Sequence, residues 1–148
     1  MSKSRQRGIT IIELLVVLTI LAILAGLIVP RVMDRPEQAR RTKAALQIEA
    51  LEGALKLYKL DNGRYPTTEQ GLAALVEQPV EEPVPENWRE GGYLEKGQLP
   101  VDPWGRQFKY LSPGANNPEF DLWSTGPDGE DGGEGKDADV TNWTQAQK

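Results

Sequence analysis

The chain has 148 residues, a net charge of −5, and neither cysteine nor histidine. That length suits one modest domain, and the composition excludes disulfides, thiolate chemistry and the commonest general base and metal ligand. Its acidic balance, with no basic stripe, argues against nucleic acid as a partner.

The first element is an apolar run from Ile9 to Val29, whose one charge is Glu13. At about 1.5 Å rise per residue its 21 residues make a helix roughly 32 Å long, close to the ~30 Å hydrocarbon core of a bilayer. A carboxylate inside such a segment is expensive and needs a reason. A short basic head precedes the run, Lys3, Arg5 and Arg7, closed by Gly8. An ordinary secretory signal peptide has a shorter apolar region, about 7–15 residues, ending in an A-x-A cleavage site that is missing here. A simple signal anchor fits the length and the head, but it leaves Gly8 followed by Glu13 unexplained. Charge does not fix the orientation, because Arg31, Arg35, Arg40, Arg41 and Lys43 balance the basic head from the other side.

The whole pattern of basic head, glycine, apolar residue and acid five residues on resembles the leader and N-terminal helix of type IV pilins and pseudopilins. In that family a membrane-embedded prepilin peptidase cuts after the glycine and methylates the new amino terminus. The resemblance implies cleavage between Gly8 and Ile9, N-methylation of Ile9, and an amino terminus on the cytoplasmic side. The family more often has Phe where this chain has Ile9. Loss of residues 1–8 would remove three positive charges and leave a net charge of −8.

Pro30 ends the apolar run and Pro36 follows, so a kink or loosening of the helix is expected there, with Gly26 a weak point just before. From Glu37 to Leu60 the pattern is helical again. Ala44, Ile48, Leu51, Leu55 and Tyr58 form one apolar stripe, while Glu49, Glu52, Lys56 and Lys59 lie behind it, with Glu52 and Lys56 spaced for a favourable pair. Asp61-Asn62-Gly63 stops this helix. Thr67 or Thr68 is suited to cap a short helix over Glu69 to Val76, with Leu72, Leu75 and Val76 facing inward. Gln78 to Pro85, with three prolines and two acids, predicts a solvated extended loop. Short strands are predicted around Gly92 to Leu94, Phe108 to Leu111 and Phe120 to Ser124, punctuated by Pro and Gly. The sum is an α+β chain: a long N-terminal helix, half transmembrane and half amphipathic, packed on a small antiparallel sheet. Its domain organisation is a leader over 1–8, a membrane and assembly helix over 9–29, and a globular domain over 30–148 that includes the amphipathic helix 37–60.

The run Tyr58-Lys59-Leu60-Asp61-Asn62-Gly63-Arg64-Tyr65-Pro66-Thr67-Thr68-Glu69-Gln70-Gly71-Leu72 is similar to the major pseudopilins of type II secretion systems. So are Asn87-Trp88, Gly92-Tyr93-Leu94, Leu99-Pro100-Val101-Asp102-Pro103-Trp104-Gly105, Tyr110-Leu111-Ser112-Pro113-Gly114 and Phe120-Asp121-Leu122. Each block alone is ordinary turn chemistry; the ordered set is specific and extends to Trp143. The resemblance implies a pilin-like fold and a structural role: polymerisation into a periplasmic pseudopilus that drives folded exoproteins across the outer membrane. It further implies minor pseudopilins, the inner-membrane secretion platform and the membrane itself as partners. The nearer rivals are a type IV pilin, which would more often carry a cysteine pair, and a minor pseudopilin, against which the retained Glu13 argues.

Two groups of site residues follow. Glu13 is either an acid near the interface that snorkels or the partner of a neighbouring subunit's freed Ile9 amino group, a pair that would offset both burial costs. Pro30 would let neighbouring helices fit in the assembly. The second group lies in the Asp- and Gly-rich stretch Ser124 to Asp139, whose oxygens are of the kind Ca²⁺ takes, about six to eight at a time. Its spacing is not that of an EF-hand, and an Asp/Gly loop alone is more often merely solvated. The resemblance implies one structural Ca²⁺ here, held by Asp128, Asp137, Asp139 and the backbone carbonyl of Thr125. Pro127 and Thr125 stand where the family more often has Ala and Leu, and an acid the family commonly has near Gly135 or Lys136 is missing. The four tryptophans suit burial or subunit contacts better than ligand stacking. No nucleophile–base pair or phosphate loop stands out, so no enzymatic activity is expected. The rival of a different class is a membrane-anchored periplasmic Ca²⁺-binding module, uncleaved at Gly8 and unpolymerised.

Overall fold

The computed structural model describes the backbone over residues 10–143, and the side chains over 10–25 and 36–143. Gly8 and Ile9 therefore lie outside the described residues. The chain divides into two units, Met1–Gln38 and Ala39–Lys148.

Helix α1 runs from Ile11 to Asn62. Thr10 starts it: the Thr10 carbonyl accepts from Leu14 N at 3.1 Å, and the Thr10 hydroxyl oxygen accepts from Glu13 N at 3.3 Å. Thr10-Ile11-Ile12-Glu13 thus has the spacing of a capping box, with Glu13 at the third helical position. In the first unit the large apolar side chains from Ile11 to Leu24 are exposed. Among the described residues no helix is long and apolar enough to cross a membrane, since the described side chains cover only part of the Ile9 to Val29 run. The break expected at the prolines is not one of secondary structure, because the backbone stays helical through both Pro30 and Pro36. Each proline removes one N–H bond, and the helical hydrogen bonds around it hold the turn.

In the second unit the predicted stripe is the core. Ala44, Ile48, Leu51, Leu55 and Tyr58 are all buried, joined by Ala54, and all but Ala44 pack in one cluster with Leu72, Leu75, Tyr93, Phe108, Phe120 and Leu122. Spacing of three and four residues puts them on one helix face, and tertiary burial of that face stabilises this half of α1. On the flank, Glu52 accepts from Asn142 Nδ2 at 3.2 Å, and Lys59 pairs with Glu119 at 2.6 Å. Gly63, at φ 78°, ends the helix as its composition predicts.

Beyond the helix the structure corrects three expectations. The helix over Glu69 to Val76 is a 3-10 turn over Leu72–Leu75 only. Thr67 and Gln70 do cap each other, Gln70 N donating to the Thr67 hydroxyl at 3.2 Å and Thr67 N to Gln70 Oε1 at 3.1 Å. Gly71, at φ 58°, then turns the chain out of helical geometry, and Val76 is left half-buried. Gly92 to Leu94 is not a strand. Gly92 has φ 79° and lies against the Leu75 carbonyl, where a Cβ would sit 2.6 Å from the oxygen, and Tyr93 N donates to that carbonyl at 2.8 Å. Nor is the proline-rich loop simply solvated. Pro85 is fully buried, and Gln70 Nε2 donates to the carbonyls of Glu81 and Pro83.

The sheet is antiparallel in the order β1 (Lys109–Leu111), β2 (Asp121–Ser124), β3 (Val140–Thr141). Tyr110 faces Leu122 across the first pair, and Trp123 faces Thr141 across the second. Two strands fall where the alternation and turn residues place them; β3, two residues long, carries no sequence signal of its own. The four tryptophans are half-buried. Trp88 donates to the Ala74 carbonyl, and Trp123 meets Trp143 edge to face at 5.9 Å.

Candidate functional site

The acidic loop joins β2 to β3, so the sheet fixes both of its ends. Its entry is built on Asp102, which is buried. One Asp102 oxygen accepts from the backbone N–H of Trp104 and Arg106, and the other from the Ser124 hydroxyl at 2.5 Å. Asp102 N returns a bond to the Arg106 carbonyl at 2.8 Å, and Val101 pairs with Gln107. The Val101-Asp102-Pro103-Trp104-Gly105 stretch is therefore a closed turn that presents Arg106. The Arg106 guanidinium donates to the carbonyls of Gly126 at 2.6 Å and Pro127 at 3.3 Å. Gly129, at φ 77°, lies under that guanidinium, where a Cβ would sit 2.7 Å from it.

At the exit, Arg41 of α1 donates to the carbonyls of Ala138 at 2.7 Å and Lys136 at 3.3 Å. Between entry and exit, Gly132 and Asp139 are joined twice: Asp139 N donates to the Gly132 carbonyl, and Gly132 N donates to Asp139 Oδ2, both at 2.9 Å.

The predicted ligands are placed as follows. Thr125 is buried, and its carbonyl accepts from Gly129 N at a long 3.3 Å. Asp128 is exposed and turns one oxygen to Glu130 N at 3.2 Å. Asp137 is half-buried on the 3-10 turn Gly135–Asp137. Asp139 is buried, and burial raises its pKa above the ordinary carboxylate value; the Gly132 N–H opposes this, while the charges of Asp131 and Asp128 add to it. Asp128 and Asp139 thus share one electrostatic neighbourhood, and the repulsion in it disfavours an ionised Asp139. Among the described residues no three His, Cys, Asp or Glu side chains are gathered as a metal cluster.

Asp131 was missed by sequence reasoning, and it has a different task. Lys109 Nζ donates to both its oxygens at 2.7 Å and Trp123 Nε1 to one at 2.9 Å, and these bonds hold its carboxyl below the ordinary range. It ties the loop to β1 and β2. No motif marks it among the other acids of the loop. Arg41 and Arg106 were missed as well, Arg41 because it contacts a segment 95 to 97 residues away.

Comparison with known proteins settles the family. Residues 31–143 match the family model described as type II secretion system (T2SS), protein G. The chain belongs to the type II secretion system protein G family. Residues 3–29 match the prokaryotic N-terminal methylation motif. Relatives of this protein G chain include the type II secretion system core protein G of Pseudomonas aeruginosa, 54% identical, the match covering 97% of this chain and 99% of that one. The core protein G of Vibrio cholerae is 51% identical over 94% of this chain and 92% of its own length. The crystal structure of the major pseudopilin from the type 2 secretion system of enterohaemorrhagic Escherichia coli is similar, with TM-score 0.67 and 45% identity, covering 76% of this chain and 94% of that chain. The protein G chain therefore has the pilin-like α+β fold that its sequence predicts. Its family is one of structural pseudopilins rather than enzymes, in keeping with a chain that lacks His and Cys.

Proposed function

We propose that this chain is the main subunit of a periplasmic pseudopilus, in which it polymerises to drive folded proteins across the outer membrane. The observation that supports this most is the ordered match over residues 31–143 to protein G of the type II secretion system, preceded by the methylation motif over 3–29. Before assembly the subunit sits in the bacterial inner membrane through the apolar run Ile9 to Val29, its amino terminus cytoplasmic and its globular unit periplasmic. Prepilin peptidase cuts between Gly8 and Ile9 and methylates Ile9. The freed amino group pairs with Glu13 of a neighbouring subunit, and local melting near Pro30 lets adjacent helices fit. Further partners are minor pseudopilins, the inner-membrane secretion platform and the exported proteins.

The acidic loop holds one structural Ca²⁺ in this reading, through Asp128, Asp137, Asp139 and the Thr125 carbonyl. The donor chemistry suits it, because the predicted ligands supply only oxygen, the preference of a hard cation. A bound ion would stand in for the missing disulfides as the staple of a small domain.

Overproduced with its peptidase and secretion platform, the chain is expected to form filaments visible by electron microscopy. At free Ca²⁺ about 100 times Kd, chelation should remove about 2.7 kcal/mol of stability. For a domain of this size that lowers Tm by on the order of 10 °C, with fewer filaments. Membrane-bound monomers under all conditions would overturn the assembly claim and favour the anchored binding module. A Tm indifferent to chelator would overturn the Ca²⁺ claim alone.

A further inference from the structure

The two most exposed large apolar side chains described in the second unit are Leu60, at 78%, and Val80, at 88%. Each sits among charges of one sign, and the two signs are opposite. Leu60 lies in an open cleft of about 320 Å³ with Lys56, Lys59, Gly63 and Tyr65. Lys59 Nζ lies 4.5 Å from the centre of the Tyr65 ring and is tied to Glu119. Lys56 is exposed and makes no ion pair among the described residues. Val80 is flanked by Glu77, Glu81 and Glu82, all exposed and likewise without ion pairs among the described residues. The loop that carries Val80 is held in place from within. Gln70 Nε2 donates to the carbonyls of Glu81 at 2.9 Å and Pro83 at 3.1 Å, and Gln78 Nε2 to that of Pro85 at 3.4 Å. Its prolines fix φ as well. A preorganised apolar knob among acids thus stands on one part of the surface and an apolar cleft rimmed by lysines on another. The hollows beside them share no residue.

We propose that Val80 of one copy docks in the Leu60 cleft of the next copy, with the acids around Val80 facing Lys56 and Lys59. A second copy is the occupant that charge favours, because this chain itself carries both halves of the complement. The two halves are different patches, so the contact is head-to-tail, and its repetition gives an open helical filament rather than a closed dimer. One knob in one cleft buries less than the ~1,000 Å² of a stable pair. It therefore does not hold two free subunits together; it sets the register of subunits gathered by α1, the task to which paired charges are best suited. Such docking rests on the polymer proposed above and adds to it the surface by which the globular units meet.

The chain has no cysteine, so introduced thiols are the only ones present. Full chains carrying Leu60→Cys and full chains carrying Val80→Cys are co-produced with prepilin peptidase and the secretion platform, then oxidised. They are expected to cross-link to each other, while neither links to itself, and the link should vanish when the platform is left out. Chains carrying both substitutions should give a ladder of multimers, because each copy then offers both halves. Lys56→Glu and Glu81→Lys, each alone, should lower filament yield by about 10-fold or more, since like charges then meet. Together they should restore it to within about 2-fold of the parent. The cross-link decides alone should a charge variant fail to fold. Linking between unlike chains, with rescue by the double charge swap, supports the docking. Filaments that form without that link, or in which Leu60→Cys chains link among themselves as readily, overturn the docking and leave the pseudopilus reading standing. A parent that forms no filaments defeats that reading and the docking together.

Discussion

Replacing Glu13 by alanine is expected to abolish filaments while leaving a membrane-inserted subunit whose Ala39–Lys148 unit is folded. In the assembled state the variant would leave the Ile9 ammonium of each subunit in an apolar bundle without its counter-charge. Removing one partner of a buried ion pair costs about 3–5 kcal/mol, and the loss recurs at every subunit added, so assembly fails rather than weakens. A second role competes for the same residue, because Glu13 occupies the third position of a helix capped by Thr10. A lost cap contribution is worth only about 1 kcal/mol, and Gln can serve in a capping box as Glu does. Glu13→Gln therefore separates the two. Charge pairing predicts that Gln fails like Ala, and capping alone predicts that Gln assembles normally. Filament yield by sedimentation and microscopy, with membrane extraction as the control for insertion, makes the comparison.

Asp121→Asn is expected to destabilise the globular unit by about 3 kcal/mol or more, the largest loss anticipated from any isosteric change. Asp121 is 2% exposed, and its oxygens accept from the backbone N–H of Ala115, Asn116 and Asn117 and from the Asn116 side-chain amide. Asparagine offers one acceptor oxygen and turns an NH₂ toward N–H donors, leaving buried groups unsatisfied. The turn that carries the chain from β1 to β2 would lose its centre. Burial by itself raises the Asp121 pKa, but the converging donors outweigh it and the net shift is down from 3.8. The folded state thus binds this proton less readily than the unfolded state does. Its stabilisation is fully present above the unfolded value and is lost as pH falls through the lower folded value. Urea unfolding of parent and variant at neutral pH and across the acid range should show a gap that is widest at neutral pH and narrows below pH 3.8. Equal stabilities at neutral pH would contradict this account of the turn.

What was legible in the sequence was whatever has a period or a local mechanism. The stripe from Ala44 to Tyr58 gave the core face because burial on a helix repeats every three to four residues. Gly63 stopped the helix where a left-handed residue was needed, and the runs at Lys109–Leu111 and Asp121–Ser124 formed strands. Gly92 to Leu94 misled because its aromatic and aliphatic side chains suit a strand, whereas the backbone is set by a close approach of Gly92 to Leu75 that no propensity encodes. The helix over Glu69 to Val76 was overextended because the Thr67–Gln70 cap is complete in a single turn and Gly71 departs from helical φ directly after it.

The candidate site divides in the same way. Its acids were visible as a composition, and the family pattern singled out Thr125, Asp128, Asp137 and Asp139 among them. The division of labour was not visible. Asp131 is spent on Lys109 and Trp123, which are adjacent only once β1 and β2 pair, and Arg41 reaches the loop only across the fold. Tertiary contacts of this kind leave no trace in spacing.

The measurement that tests the central claim most directly is the intact mass and amino-terminal sequence of the chain recovered from membranes, with and without prepilin peptidase. A chain beginning at N-methylated Ile9 only when the peptidase is present is the predicted result. A chain that keeps residues 1–8 in both cases would contradict the pseudopilus account and leave an anchored binding module in its place.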